Sequence, residues 1–529
     1  MLTRIKVCSI IMLLFLIIGC TSSTYRKLDT IIINGQVYDG SLGSPTNANV
    51  GIKDGVIVAI GELKGAYADV TIDAGGKIVS PGFIDLHSHS ERGILRNPDS
   101  LNILYQGVTT ILGGNCGGSP ANVEEYFNQF NQQGSAINVG LLIGHNTIRR
   151  KVMQRDNRHA TPSELYQMRT LVEQAMKAGA FGLSSGLLYI PGTFAPPEEL
   201  YELASVIKPY DGFYATHLRS EGEKVVDALD EAIQVAIQSQ VPVHISHHKT
   251  AGPTAWGKSK VTLSMIDNAK LENVDITLDQ YPYTASNTNL GVLLPAWSLE
   301  GGAKAFEERT QNQDIKQSII TQSANIIYNQ RAGNDLNRIL ISEYRHNPSW
   351  EGMTFADVLS QQGQPLTSTN AAKLAVEIQL SGGGRGIYHT MQSEDVERIM
   401  KYPLTSIASD GRSTKWQEGS PHPRNYGSYP RVISKYVNEK NVLTVTEAIH
   451  KMTALPASRM GLNDRGMIKV GYKADILVWD QEELKDNSTF ENPHQYSDGI
   501  EYMLVNGQLV IRDYKATGIR PGAALKNYM

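Results

Sequence analysis

Two histidines separated by a single residue, His87 and His89, stand in the segment PGFIDLHSHS at residues 81–90. On an extended backbone side chains alternate, so residues two apart point the same way. Two imidazoles on one side of a strand end can share one metal ion. The pair follows a buried-looking apolar run, IVSPGFIDL, with Asp85 beside it. Four more residues of ligand chemistry share this placement. Cys116 ends GVTTILGGNC, His217 ends GFYATH, His247 ends VPVHISH and Asp410 ends LTSIASD. Each terminates an apolar run and precedes polar or glycine-rich sequence. Imidazole, thiolate and carboxylate are zinc's usual ligands, and six of them are enough for one or two zinc ions. Singly, His217 or Asp410 would read as a capping or surface residue. What distinguishes the set is that all six sit at strand ends.

Such residues, far apart in sequence, need a scaffold that brings strand ends together. Between about residues 82 and 461, apolar strand-like pieces alternate with amphipathic stretches such as SELYQMRTLVEQAMKAGA and EKVVDALDEAIQVAIQSQ. That alternation argues for parallel βα units. Eight of them would close a (β/α)8 barrel of the TIM type, an α/β fold whose function sits at the C-terminal strand ends. Residues 296–380 do not fit one βα unit and read as a mostly helical insertion. Residues 29–81 and 462–529 instead carry short β-branched runs broken by Asn-Gly, Asp-Gly and Gly-Gly turns. Two strand-rich pieces at opposite ends suggest one small β-domain built from both.

The first twenty residues, MLTRIKVCSIIMLLFLIIGC, read as an address. Arg4 and Lys6 form a basic start, an apolar run follows to Ile18, and Gly19-Cys20 ends it. The pattern is secretory, and the run is short for a membrane span. Its ending resembles a bacterial lipobox, which implies a signal peptide over 1–19, lipidation of Cys20 and a tether over 20–28. A retained membrane anchor is the alternative. Either way an exported protein on the periplasmic or surface side of a membrane is expected. The net charge of -4 leaves no basic field for nucleic acid. Three cysteines rule out a disulfide scaffold. With Cys8 in the signal and Cys20 lipidated, Cys116 is the single remaining thiol, either buried and inert or a metal ligand. Oligomeric state leaves no mark on the sequence.

PGFIDLHSHS, GGNC, SSGLLYIPG, YATHLRSEG, HISHHKTAG, DQYPYTAS and SDG followed by PHPR, in this order, resemble the D-aminoacylase branch of the amidohydrolase superfamily. The resemblance runs from about residue 28 to 525. It implies a zinc-dependent (β/α)8 barrel with a small β-sandwich from both termini, and hydrolysis of N-acyl-D-amino acids to a carboxylate and a D-amino acid. It implies one tight zinc site at Cys116, His217 and His247. A second, weaker position would lie at His87, His89 and Asp410, with Cys116 able to bridge. Metal-activated water would attack the amide, with Asp410 as proton shuttle. Lys249 and Arg424 match the family's carboxylate-binding positions, and of the tyrosines flanking Pro282, Tyr283 is assigned to the substrate. The segment RSTKWQEGS after Asp410 is longer and more polar than the family pattern, which leaves side-chain preference open. A cyclic-amide hydrolase of the dihydroorotase or hydantoinase kind is the alternative, but it expects a carboxylated lysine on the fourth strand, and GLSSGLLY has none. A tethered, non-catalytic binding protein has no need of six metal-type residues.

Overall fold

The computed structural model describes residues 27–527, so the expected signal segment and Cys20 lie outside the described residues. Within them, eight parallel strand units form the barrel: β1 (Phe83–Asp85), β2 (Val108–Gly113), β3 (Asn138–Leu141, continuing as Ile143–Gly144), β4 (Gly182–Gly186), β5 (Phe213–His217), β6 (Val243–Ile245), β7 (Ile276–Gln280) and β8 (Thr405–Ile407). Their residues are buried throughout, as parallel strands covered by helices require. The barrel closes just past the ends of β8 and β1, where Asp410 N–H donates to the His87 carbonyl (2.9 Å) and His89 N–H to the Gly411 carbonyl (2.8 Å). Closure therefore runs through three of the residues that the sequence marks for chemistry.

The helices follow their sequence signals. Pro162–Lys177 starts at a Thr161–Glu164 capping box with proline in its first turn and buries Met168, Val172, Ala175 and Met176 on one face. Val225–Ser239 buries Val225, Ala228, Leu229, Ala232, Ile233 and Ala236 in the same way.

The insertion differs in extent from its expected bounds. A small antiparallel sheet of Ser286–Asn289, Arg385–Tyr388 and Ile339–Glu343 brackets the helices Ala303–Gln311, Gln313–Ile326, Phe355–Gln361 and Ser368–Leu380. It has its own core around Leu293, Phe306, Ile319, Ile341, Phe355 and Tyr388. The outer strands lie beyond the expected limits of 296 and 380. Ser-Asn-Thr-Asn carries no apolar alternation, so only its distant partner strand makes it a strand.

Strands from both ends of the chain join in one nine-stranded sheet. Strand Lys27–Val37 takes in Lys27 and Leu28, the last two residues of the expected tether. Strand Ile78–Pro81 pairs with Ile476–Trp479, which couples the two ends. In Ile476–Trp479 the period of two divides the labour: Ile476 and Val478 enter the β-domain core, while Leu477 and Trp479 enter the barrel core. The last residues leave the β-domain. Gly522 and Leu525 N–H donate to the Ser135 and Val139 carbonyls, and the tail lies across the N-terminal ends of the barrel strands.

Asp475 fastens the two parts. Its carboxylate pairs with buried Arg465 (2.5 Å) and accepts from Asn138 Nδ2 (3.2 Å) and Asn506 N–H (2.6 Å). Removing one partner of a buried pair strands the other charge, at about 3–5 kcal/mol. Asp475→Ala should therefore lower the thermal midpoint by several degrees in circular dichroism, and Asp475→Asn by less. An unchanged midpoint for Asp475→Ala would show that the joint carries no stability.

Candidate metal centre

The strand ends deliver the six marked side chains to one place. Cys116 Sγ lies 3.3 Å from His87 Nε2, 3.3 Å from His247 Nε2 and 3.6 Å from His217 Nδ1. Asp410 Oδ1 is 3.1 Å from His89 Nε2 and 3.7 Å from His87 Nε2. Three overlapping groups, each with donor atoms within 4.8 Å of one another, cover all six: His87/His89/Cys116, Cys116/His217/His247 and His87/His247/Asp410. In tetrahedral zinc, bonds of about 2.0–2.3 Å put neighbouring donors about 3.5 Å apart. The spacing around Cys116 fits that shell, and Cys116 belongs to two of the three groups. His87, His217, His247 and Asp410 are buried; His89 and Cys116 are partly open and mark the mouth.

Three of these residues have left-handed backbones: Cys116 (φ +51°), His247 (φ +35°) and Asp410 (φ +48°). For a residue with a Cβ this costs about 1–3 kcal/mol each and persists only where surroundings enforce it. Here they do. His247 N–H donates to Asp279 Oδ1 (2.8 Å), Asp410 N–H to the His87 carbonyl, and Gly117 N–H to Ser184 Oγ (3.0 Å). Each kink turns the chain at a strand end and aims its side chain inward.

Two carboxylates that the sequence reading left without a role hold the imidazoles. Asp279, on β7, takes His87 Nδ1 (3.2 Å) and His244 Nε2 (2.8 Å) on Oδ2. Glu221 Oε1 lies 3.0 Å from His247 Nδ1, and its Oε2 3.7 Å from His217 Nε2. A carboxylate on the far nitrogen fixes a ring's tautomer and leaves the near nitrogen for metal. Asp279 had a visible signal, an ionisable residue inside the apolar strand DITLDQ. Glu221 had none, because only the loop after β5 brings it back to His217 and His247.

The electrostatics follow. Burial alone would raise the Cys116 thiol, but His87 and His247 carry it well below its ordinary value. Burial likewise opposes ionisation of Asp410, yet Arg424 and the His89 hydrogen bond hold its carboxyl well below the usual range. Glu221 is held down against burial by His217 and Lys249, and Asp279 by His87 and His244. Asp85 goes the other way: burial pushes it up to about 6, although Ser409 donates to it.

The substrate-side assignments fare differently. Arg424 lies on the cluster, with Nη1 2.7 Å from Asp410 Oδ2, Nη2 donating to the Asn287 carbonyl (3.2 Å), and a buried Nε without a partner. Lys249 is buried, paired with Glu221 (2.5 Å) and 2.7 Å from His247 Nδ1. Its charge is thus balanced by Glu221, the carboxylate that also meets His247 Nδ1. Tyr283 requires correction. β7 ends at Gln280, and Tyr283 N–H bonds back to the Tyr281 carbonyl (2.9 Å), a tight turn that swings Tyr283 under the Arg431 guanidinium (4.6 Å). Tyr281 is the tyrosine at the cluster, beside His247, Arg424 (4.8 Å) and Lys249 (5.4 Å). His248 bonds Thr262 and His145 pairs with Glu199, both off the cluster.

A thiolate among imidazoles at the mouth of a βα-barrel, with a buried aspartate at the eighth strand, defines a metal-dependent hydrolase centre. The sequence profile of the amidohydrolase family matches residues 70–312 and 373–511, and the chain belongs to that family. It is 32% identical over 528 residues to a D-aminoacylase of Alcaligenes xylosoxydans xylosoxydans, covering 96% of this chain and 99% of that protein. It is 35% identical over 523 residues to an N-acyl-D-glutamate deacylase of the same organism, covering 95% and 97%. The fold is similar, at a TM-score of 0.80 and 32% identity over 94% of this chain and all of the other, to N-acyl-D-glutamate deacylase of Bordetella bronchiseptica solved with zinc and a phosphonate mimic of the tetrahedral intermediate.

Cys116→Ala should abolish retention of tightly held metal, read as metal content after dialysis. Glu221→Gln should keep the fold but weaken metal affinity by about 10–100-fold, measured by chelator competition. Wild-type affinity in Glu221→Gln would remove the carboxylate from any supporting role.

Proposed function

We propose that this protein is a zinc-dependent N-acyl-D-amino-acid deacylase, which hydrolyses a linear amide to a carboxylate and a free D-amino acid. The observation that carries the reading is the convergence of Cys116, His87, His217 and His247 with Asp410 at the open end of the barrel. When bound, zinc polarises the amide carbonyl and lowers the pKa of water to about 7. The protein's own groups do the rest. Cys116, His217 and His247 would hold the tighter metal, and His87, His89 and Asp410 would hold a second. Asp410, held ionised by Arg424 and His89, accepts the proton of the attacking water at Oδ1 and returns it to the departing amine. Arg424 keeps Asp410 in place and offers its unpartnered Nε to the substrate's α-carboxylate, which the planar guanidinium suits. Tyr281 lines the same wall. The cyclic-amide alternative loses support on β4, where Gly182–Gly186 has no lysine to carboxylate.

The reading extends to location. The lipobox-like ending at Cys20 supports an exported lipoprotein held at a membrane, and no described helix is long and apolar enough to cross one.

Zinc-loaded protein should release amine from N-acetyl-D-amino acids, not from their L forms and not from hydantoins. Asp410→Asn should lose at least about a hundredfold in kcat while retaining the tight metal; unchanged turnover would remove Asp410 from the proton path. Cys20→Ser should move the protein from the membrane to the soluble exported fraction, and it should stop labelling with radioactive palmitate. Continued membrane association without label would favour a retained anchor.

A further inference from the structure

Beside Arg424, two further arginines occupy the wall where the insertion meets the loop after β8. Arg385, partly buried, begins strand Arg385–Tyr388 and is registered against Asn289 in one neighbouring strand and Glu343 in the other. Its guanidinium is held by an amide, with Nη2 2.7 Å and Nε 3.3 Å from Asn287 Oδ1. The amide is itself locked, because Asn287 Nδ2 donates to Ser342 Oγ (2.9 Å) and the Gly386 carbonyl (3.1 Å). Arg424 donates to the carbonyl of the same Asn287, so one residue seats both guanidiniums. Arg412, in the polar segment RSTKWQEGS, is fixed through its backbone by Asn425 Oδ1 (3.1 Å) and Asn102 Nδ2 (2.8 Å). Its partly buried side chain makes no hydrogen bond or ion pair among the described residues.

The charges around these groups do not close. Arg424 is paired with Asp410. Neither Arg385 nor Arg412 lies within ion-pair distance of a carboxylate among the described residues. Glu343, the acid in the field of both, pairs instead with exposed Arg345 (3.5 Å). Asp410, already paired with Arg424, and Glu91 act on Arg412 only through space. Tyr189 nearby bonds Thr288 Oγ1 (3.0 Å), and burial keeps its hydroxyl neutral. The strain shows on Arg385, where burial and then repulsion from Arg412 and Arg424 push the guanidinium down to about 9. Like charges set together in a partly dry wall cost free energy unless an anion arrives. A substrate α-carboxylate can answer only one of these arginines fully.

We propose that Arg385 and Arg412 form a second carboxylate site beside Arg424, and that the protein prefers N-acyl-D-amino acids whose side chain ends in a carboxylate. The proposal rests on the deacylase reading above. Its placement favours the side chain over the acyl group. Arg385 and Arg424 share Asn287, so the second anion must lie within a residue's reach of the α-carboxylate, on the amine side of the scissile bond.

The experiment compares kcat/KM of the zinc-loaded enzyme on N-acetyl-D-glutamate and on its neutral isostere N-acetyl-D-glutamine, with N-acetyl-D-leucine and N-succinyl-D-leucine as further arms. The glutamate substrate should exceed the glutamine substrate by at least about tenfold, as expected for charge-assisted hydrogen bonds. Arg385→Met and Arg412→Met should each move that ratio towards one, mainly through a higher KM for glutamate. A wild-type ratio near one, with clear turnover of both, overturns the proposal and leaves the deacylase reading intact. So does a ratio unchanged in both variants. N-succinyl-D-leucine favoured over N-acetyl-D-glutamate would put the second carboxylate on the acyl side and overturn it as well. Turnover of none of the four compounds overturns the deacylase reading, and this proposal with it.

Discussion

Cys116 meets the ring nitrogens of His87, His217 and His247 at 3.3–3.6 Å, in a cluster where the three imidazoles are shut from water. Four electron-rich donors brought so close would repel or strand one another unless a proton or a cation lay between them. Their spacing fits the edges of a zinc tetrahedron, about 3.5 Å. Much of the surrounding structure can be understood as the means of holding this arrangement against its own cost. The barrel is sealed by backbone bonds at His87, His89 and Asp410, so the last strand cannot drift away from the first without moving ligands. The backbone contacts that close the fold are also contacts of the site.

That cost is met at a distance from the donors themselves. Asp279 and Glu221, both buried, take the outer nitrogens of His87 and His247, and Asp279 also receives the strained His247 backbone. Left-handed φ at Cys116, His247 and Asp410 would be unfavourable in isolation; inside the barrel each is held by a bond from a neighbouring strand or loop. Lys249 balances Glu221, so the carboxylate behind His247 is not left as a lone buried charge. The clustered side chains are thus preorganised by ion pairs whose members come from β5, β6, β7 and the loops that follow them.

The substrate wall is assembled otherwise. Arg424 comes from the helix after the barrel's last loop, Arg412 from that loop, and Arg385 and Asn287 from the sheet of the insertion. None of these elements belongs to the eight strands. Chemistry on rigid strand ends and recognition on inserted segments allow the second to vary without disturbing the first.

Much of this was legible in the residues. The six ligand positions stood out because each ionisable or thiol side chain follows an apolar run, and alternating strand and helix patterns implied a barrel. Local patterns of that kind survive in sequence because burial of a strand demands them. The limits were equally physical. Tyr283 could not be told from Tyr281, because a tight turn at Pro282 reverses what extended spacing implies. Asp279 was readable as a charge in an apolar strand, whereas Glu221 acquires its partners only when one loop folds over another. The strand Ser286–Asn289 had no pattern of its own and exists through a partner about a hundred residues away. Types and positions of the six proposed metal ligands were therefore written along the chain. Which carboxylate steadies which imidazole, and which arginines remain without a counter-charge, were decided by the packing of segments distant in sequence, since electrostatic partnership depends on separation in space.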